Sequence, residues 1–285
     1  MMEKTFQNFT ALQQCWENLN RRQPLIHCIT NYVTVNDVAN VLLACNASPI
    51  MSAEPREVEE IVALSQGLLI NVGILTTETI PAMFLAGKKA NALGVPVVMD
   101  PVGAGATRLR TDTTTELLEQ VRFAVIRGNI SEIKALAVGG SSTRGVDAAL
   151  EDAVTSNNLP TVCSSARAFA RRCNAVIVIT GAIDLVSDAQ QTIVLRNGHP
   201  MMSRITGSGC QLTALITALI ASNPGQALLA TATAVATMGI AGELAFTKNQ
   251  QLGGGNSSYR NHLIDAICNF TPEMLAERGK ITILD

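Results

Sequence analysis

Val95-Pro96-Val97-Val98-Met99-Asp100-Pro101 is a short apolar run that stops at a carboxylate and a proline. Its core lacks the alternation of a half-buried strand. Such a run predicts a strand covered on both faces, as in a parallel sheet. Similar runs recur outward from it. Leu68-Leu69-Ile70-Asn71-Val72-Gly73 precedes it, and residues 123–128 and 175–181 follow. Leu159-Pro160-Thr161-Val162-Cys163 reads as a fifth strand. Between the runs lie helical signals at 81–93, 112–118 and 161–172, and a long Ala-rich stretch at 225–246. Residues 183–187 and 192–196 flank Asp188-Ala189-Gln190-Gln191 and predict a hairpin that adds antiparallel strands at one edge. No linker, repeat or low-complexity tract interrupts the pattern. The expectation is an α/β chain folded as a single domain over residues 1–285, with a mainly parallel central sheet flanked by helices on both faces.

Composition narrows the function. Charged residues make up 15% and hydrophobic residues 47% of the chain. The charged share of ordinary soluble domains is about 25%. A covered surface, and hence an oligomer, is expected. The net charge of −2, the absence of a basic block and an aromatic content of 4% argue against a nucleic-acid face. The seven cysteines form no C-x-x-C pair, and His27, His199 and His262 are scattered, so no zinc-type cluster is expected. The N-terminus has no signal-like apolar core and no run of eighteen apolar residues occurs, so a cytoplasmic protein without a membrane span is expected.

In doubly wound sheets, ligands bind beyond the carboxyl ends of the strands. The polar residues at those ends are Asn71, Asp100, Arg127 with Asn129, and Thr180. A second signal is Gly207-Ser208-Gly209-Cys210, which runs directly into a helical stretch at 211–220. Two glycines allow a tight turn, and the unpaired N–H groups and dipole of a helix start favour an anion. Cys210 at that positive end is expected to be a better proton acceptor than a free thiol. The plainer role is that of a small buried hydrophobe. Asp100 and Glu132 suit oxygen ligation of magnesium bound to phosphates, or simple capping of a turn and a helix. Arg127 suits a phosphate, or an ion pair with Asp100 or Glu132. The chain has no P-loop, no Rossmann fingerprint and no nucleophile elbow. Phosphoryl transfer to an alcohol, from a nucleotide held without a P-loop, is the chemistry that these elements suit.

The pieces His27-Cys28-Ile29-Thr30-Asn31-Tyr32-Val33-Thr34, Met99–Gly105, Arg127-Gly128-Asn129 through Glu132, Val178–Gly181 and Gly207–Cys210 occur in an order that resembles the hydroxyethylthiazole kinase family, of ribokinase-like fold. The resemblance implies ATP-dependent phosphorylation of the primary alcohol of 4-methyl-5-(2-hydroxyethyl)thiazole in thiamine salvage, with magnesium. It implies a homotrimer with active sites between subunits. Asn31, Val33 and Met51 would line the thiazole pocket, with Gly207 near the hydroxyl. Arg127, Asn129 and Thr180 would contact ATP, and Asp100 and Glu132 would organise the metal. Gly209 and Cys210 would belong to the catalytic loop. Many sugar kinases of this fold carry Asp where this chain has Cys210. The competing readings are a hydroxymethylpyrimidine or pyridoxal-type kinase and a nucleotide-dependent dehydratase of the same fold that repairs hydrated nicotinamide cofactors. The apolar Val33 and Met51 favour the thiazole, and Cys210 in place of Asp disfavours the dehydratase.

Overall fold

The computed structural model describes residues 3–138 and 153–284. Six strands form the parallel part of one sheet: β2 (Leu25–Ile29), β3 (Ser48–Met51), β4 (Gly67–Asn71), β5 (Val97–Asp100), β6 (Val125–Asn129) and β7 (Val176–Thr180). β8 (Asp184–Ser187), β9 (Thr192–Leu195), β10 (Ile281–Leu284) and β1 (Lys4–Thr5) extend it in antiparallel pairing. The strand order is β1-β10-β9-β8-β7-β6-β5-β4-β2-β3. The chain therefore moves outward from β2 to β3, then crosses back to place β4 on the other side of β2. That reversal is a topological switch point, where parallel sheets open a crevice at their carboxyl ends.

The strands feed two separate cores because successive side chains leave a strand on opposite faces. Cys28, Leu69, Val98, Val125 and Val178 enter one core. It also holds residues of α1 (Phe9–Arg22), α2 (Val35–Ala44), α8 (Ser208–Ser222), α9 (Ala227–Gln251), α10 (Asn256–Cys268) and α11 (Glu273–Arg278). Ile29, Ile70, Met99, Ile126 and Ile177 enter the other. That core is completed by α3 (Val58–Leu64), α4 (Thr79–Leu93), α5 (Arg108–Gln120), α6 (Ile130–Val138) and α7 (Leu159–Cys173).

The segment 159–163, expected as a strand, is the first turn of α7. A short apolar run has no period that separates strand from helix. Here Pro160 occupies the first turn, where its missing N–H costs nothing, and Asn158 is the capping residue. The hairpin at β8 and β9 is present, but it is not the edge: β9 pairs onward with β10, and β10 with β1.

Helix α8 is buried from Cys210 to Ile220 on every face. A helix apolar all round belongs in an interior. Its buried Thr217 satisfies its hydroxyl by donating back one turn to Thr213 O at 2.8 Å, and the one hydroxyl hydrogen of Thr213 has both Gly209 O at 3.1 Å and Asp100 Oδ2 at 3.0 Å within reach. The 25-residue α9 is long and apolar enough, by length and composition, to cross a membrane, yet 72% of its most apolar window is buried inside the fold. It packs against α1, α8 and α10. Core packing accounts for its composition.

Candidate active site

Sheet parity assembles the site. Asn71, Asp100, Arg127 and Thr180 stand an even number of residues from Leu69, Val98, Val125 and Val178, which face α8. All four side chains therefore leave the sheet on the α8 side. Register puts Asn71 level with Asp100, while Thr180 stands opposite Asn129, two residues beyond Arg127. The N-terminus of α8 lies over this row. Gly207 caps it with φ 81°, a left-handed conformation natural to glycine, and a Cβ there would meet Thr34 Cγ2 at 2.5 Å.

Asp100 is fully buried. Its Oδ2 accepts from Asn71 Nδ2 at 2.9 Å and from Thr213 Oγ1 at 3.0 Å. Among the described residues its Oδ1 accepts no hydrogen bond, and it stands 3.5 Å from Arg127 Nη1. Arg127 Nη2 donates to Thr180 Oγ1 at 2.6 Å. Of the partners weighed for Arg127, the structure thus supplies Asp100. Burial drives the Asp100 carboxyl above the usual range, with Arg127 opposing and Glu132 adding to the rise.

Cys210 Sγ lies 3.3 Å from Asn71 Nδ2 and 3.6 Å from Asn31 Nδ2. The expectation of an activated thiol is corrected here. Burial, reinforced by the nearby Asp100 carboxylate, pushes the thiol up. The donors from Thr34 and Asn31 and the charge of Arg127 oppose the rise without reversing it. Burial and the neighbouring carboxylate together disfavour the thiolate.

Glu132 serves local structure. Its Oε2 accepts from Asn129 N at 2.8 Å, while Asn129 Oδ1 accepts from Glu132 N at 2.8 Å. This reciprocal pair is a capping box at the start of α6. Glu132 Oε1 accepts from Gly103 N at 2.9 Å and so fixes the loop after β5. The Asn129 side chain is occupied by that cap, and the residue is exposed. Asn31 is buried and turned inward to Asn71 and Cys210. Val33 is 60% exposed and Tyr32 beside it 77% exposed. Met51 ends β3 half-buried, against the α8 core.

Two contributors escaped sequence reasoning. Arg110 donates to Val102 O and Gly73 O, both at 2.8 Å, and ties the loops after β5 and β4 together. Thr213 holds Asp100. Its position three residues after Cys210, on the same helical face, was the available signal.

A cleft of about 560 Å³ adjoins this cluster, lined by Arg127, Thr180, Ser208 and Gly209 together with Met202 and Met238. Asp184 also borders it and accepts from Gly181 N at 2.9 Å. Burial pushes its carboxyl up to about 7, against the Gly181 N–H and Arg127. A folded-state value raised above the unfolded one gives stability that is complete below about 3.8 and lost as pH rises through about 7. Asp184→Asn is therefore expected to raise Tm at pH 8 by more than at pH 5. Thermal scans of both proteins across that range check it, and an equal shift at both values would show that Asp184 is charged throughout.

Comparison with known proteins shows the family of the chain. A model of the hydroxyethylthiazole kinase family matches residues 16–273. Hydroxyethylthiazole kinase from Clostridium acetobutylicum is 50% identical over 269 residues, covering 94% of this chain and 98% of that protein. The enzyme of the same name from Desulfovibrio desulfuricans is 44% identical, covering 96% and 98%. The solved hydroxyethylthiazole kinase protein of Pyrococcus horikoshii OT3 superposes with a TM-score of 0.86 at 33% identity, over 97% of this chain and all of that one. A ribokinase-like superfamily protein from Enterococcus faecalis, at 11% identity and a TM-score of 0.62, shares the fold alone. The chain has a ribokinase-like α/β fold, and the extent of these matches establishes that it belongs to the hydroxyethylthiazole kinase family.

Proposed function

We propose that this chain transfers the terminal phosphoryl group of ATP to the primary alcohol of 4-methyl-5-(2-hydroxyethyl)thiazole, the step that salvages the thiazole half of thiamine. Family membership supports the reaction. The observation that carries the site assignment is Gly209, whose missing side chain lets the Arg127 guanidinium lie against the start of α8 beside the cleft. Backbone N–H groups at 207–210 and the forked guanidinium would face the phosphoryl group in transfer. Preorganised donors of this kind are the main source of catalysis in phosphoryl transfer.

Arg127 and Thr180 would bind the phosphates of ATP. Asn31, Val33 and Met51 would shape the acceptor pocket, with Gly207 near the hydroxyl. Asn129 would act indirectly, by holding Glu132. Magnesium fits the donor set, because Asp100 Oδ1 is buried and, among the described residues, accepts no hydrogen bond, and magnesium sites commonly combine one or two carboxylates with phosphate and water. Asp100 would hold it directly or through water. Glu132, whose two oxygens already serve backbone N–H groups, would reach it through water. When bound, the ion would neutralise phosphate charge.

The reading treats residues 1–285 as a single cytoplasmic domain and takes the two cores as helical layers on both faces of the sheet. It includes a homotrimer with active sites between subunits. Exposed Tyr32 and Val33, directly after Asn31, are the apolar surface that a neighbouring subunit would cover. Mass photometry should give three times the chain mass, and a stable monomer would remove the intersubunit site. For the reaction, ADP release is measured with the thiazole alcohol, the pyrimidine alcohol and pyridoxal in turn, with and without magnesium. Turnover is expected with the thiazole and magnesium. Preference for either other alcohol would overturn the substrate assignment.

The site disfavours the Cys210 thiolate, so the sulfur is a weak proton acceptor for the alcohol. A loose transition state needs little help from a base. Cys210→Ala is therefore expected to lower kcat by about 10- to 100-fold, at or below the lower end of the usual contribution of acid–base catalysis. Cys210→Asp, which puts a carboxylate in the same place, is expected to keep turnover of wild-type order. A folded Cys210→Asp protein with no turnover would remove the proton-acceptor role.

A further inference from the structure

Asn71, at the end of β4, has no part in the reading above, yet its amide touches more of the site than any other side chain there. Gly73 N can only donate, and it lies 2.9 Å from Asn71 Oδ1. This contact settles which way the amide faces. Oδ1 also accepts from Asn31 Nδ2 at 3.1 Å. Nδ2 is thereby turned the other way, with Asp100 Oδ2 at 2.9 Å and Cys210 Sγ at 3.3 Å. An NH2 group has two hydrogens, so each finds one acceptor. The residue is 1% exposed, so these contacts are shielded from bulk solvent.

Resting on the assignment of Cys210 to the hydroxyl proton, we infer that Asn71 is a positioning residue for phosphoryl transfer. Its amide links the carboxylate and the sulfur through one rigid plane. It fixes the sulfur from the sheet side, leaving the opposite side for the acceptor alcohol. It also presents an N–H to any negative charge that gathers on sulfur, in a place where an unpartnered charge would be costly. An amide that merely closed the Gly73 turn would need only Oδ1.

The test is a double-mutant cycle on the full-length enzyme, with Tm recorded for each variant. Asn71→Ala is expected to lower kcat by about 30-fold, with the KM for ATP within about twofold of wild type. In a Cys210→Ala background the same change should lower kcat by no more than about threefold, because the sulfur through which it acts is gone. Asn71→Ser is carried through the same cycle. Its hydroxyl keeps a polar group beside the Gly73 turn but is too short to bridge carboxylate and sulfur, so it guards against misfolding of the Ala variant and should show the same dependence on Cys210. Equal losses in both backgrounds, or a loss confined to KM, would overturn the positioning role while leaving the Cys210 assignment intact. A Cys210→Ala enzyme with unchanged kcat would instead remove that assignment, and the role of Asn71 with it.

Discussion

Gly209→Val is expected to lower kcat/KM by more than about 10³-fold while the protein stays folded. Removal of a single oxyanion-hole donor typically costs 10²- to 10³-fold, and this substitution disturbs two kinds of donor together. A Cβ at 209 would meet Arg127 Nη1, with Nη2 at 2.7 Å and Cζ at 2.9 Å. The end of a long side chain usually yields to such a contact. This one is held by Thr180 Oγ1 on one side and by the Asp100 carboxylate on the other. The guanidinium must leave that seat, and the first turn of α8 must move from its place above the sheet. The valine itself lies on the cleft wall, so an ATP mimic should bind measurably but more weakly. Steady-state ADP release, calorimetric titration with the mimic and a thermal scan separate these effects. Unchanged turnover would refute the anion role of residues 207–210.

The parallel strands β4 to β7 were legible because each is a continuous apolar run, the direct result of burial on both faces. The strands β2 and β3 were not. β2 carries His27, which reads as polar but is fully buried, with Nε2 2.9 Å from Ser52 O. Burial lowers its pKa and favours the neutral ring that such a place requires. β3 contains Pro49, which a strand tolerates at a sheet edge, and β3 is the edge beyond β2. β10 is four residues paired with β9, which is remote in sequence, and with β1 at the other end of the chain. No local pattern announces it.

The site divides in the same way. Strand-end residues could be named from sequence, and parity would have placed Asn71, Asp100, Arg127 and Thr180 on one face. The Asn129–Glu132 spacing already spelled a capping box. The state of Cys210 could not be read, because a helix start alone predicts a lowered thiol. The opposing influences, burial first and then Asp100 from 110 residues away, arise only through the packing of α8 on the sheet. The inward turn of Asn31 depends on Asn71 in the same way.

Arg127→Met is the second large effect expected, and it reaches stability as well as activity. The wild-type guanidinium side chain is 12% exposed and faces a carboxylate that is 0% exposed. Removing one partner of such a pair leaves a buried charge uncompensated, a loss of about 3–5 kcal/mol. Methionine fills much of the space, so the deficit should lie toward the lower end. Asp100 already sits above the usual carboxylate range through burial, with Arg127 restraining the rise. Without the arginine the carboxyl rises further. Its raised folded-state value means stability is complete below the unfolded value and lost as pH climbs through the folded one. The Tm deficit of the variant should therefore be larger at pH 8 than at pH 5. Turnover should fall by about 10³-fold or more, because a phosphate-facing donor disappears together with the group that holds Asp100. Lysine at this position should recover stability more than turnover, since a point charge can pair with Asp100 but cannot also reach Thr180 in a fork. A Tm deficit independent of pH would mean that Asp100 is protonated in the wild-type protein and that Arg127 stands free to meet phosphate.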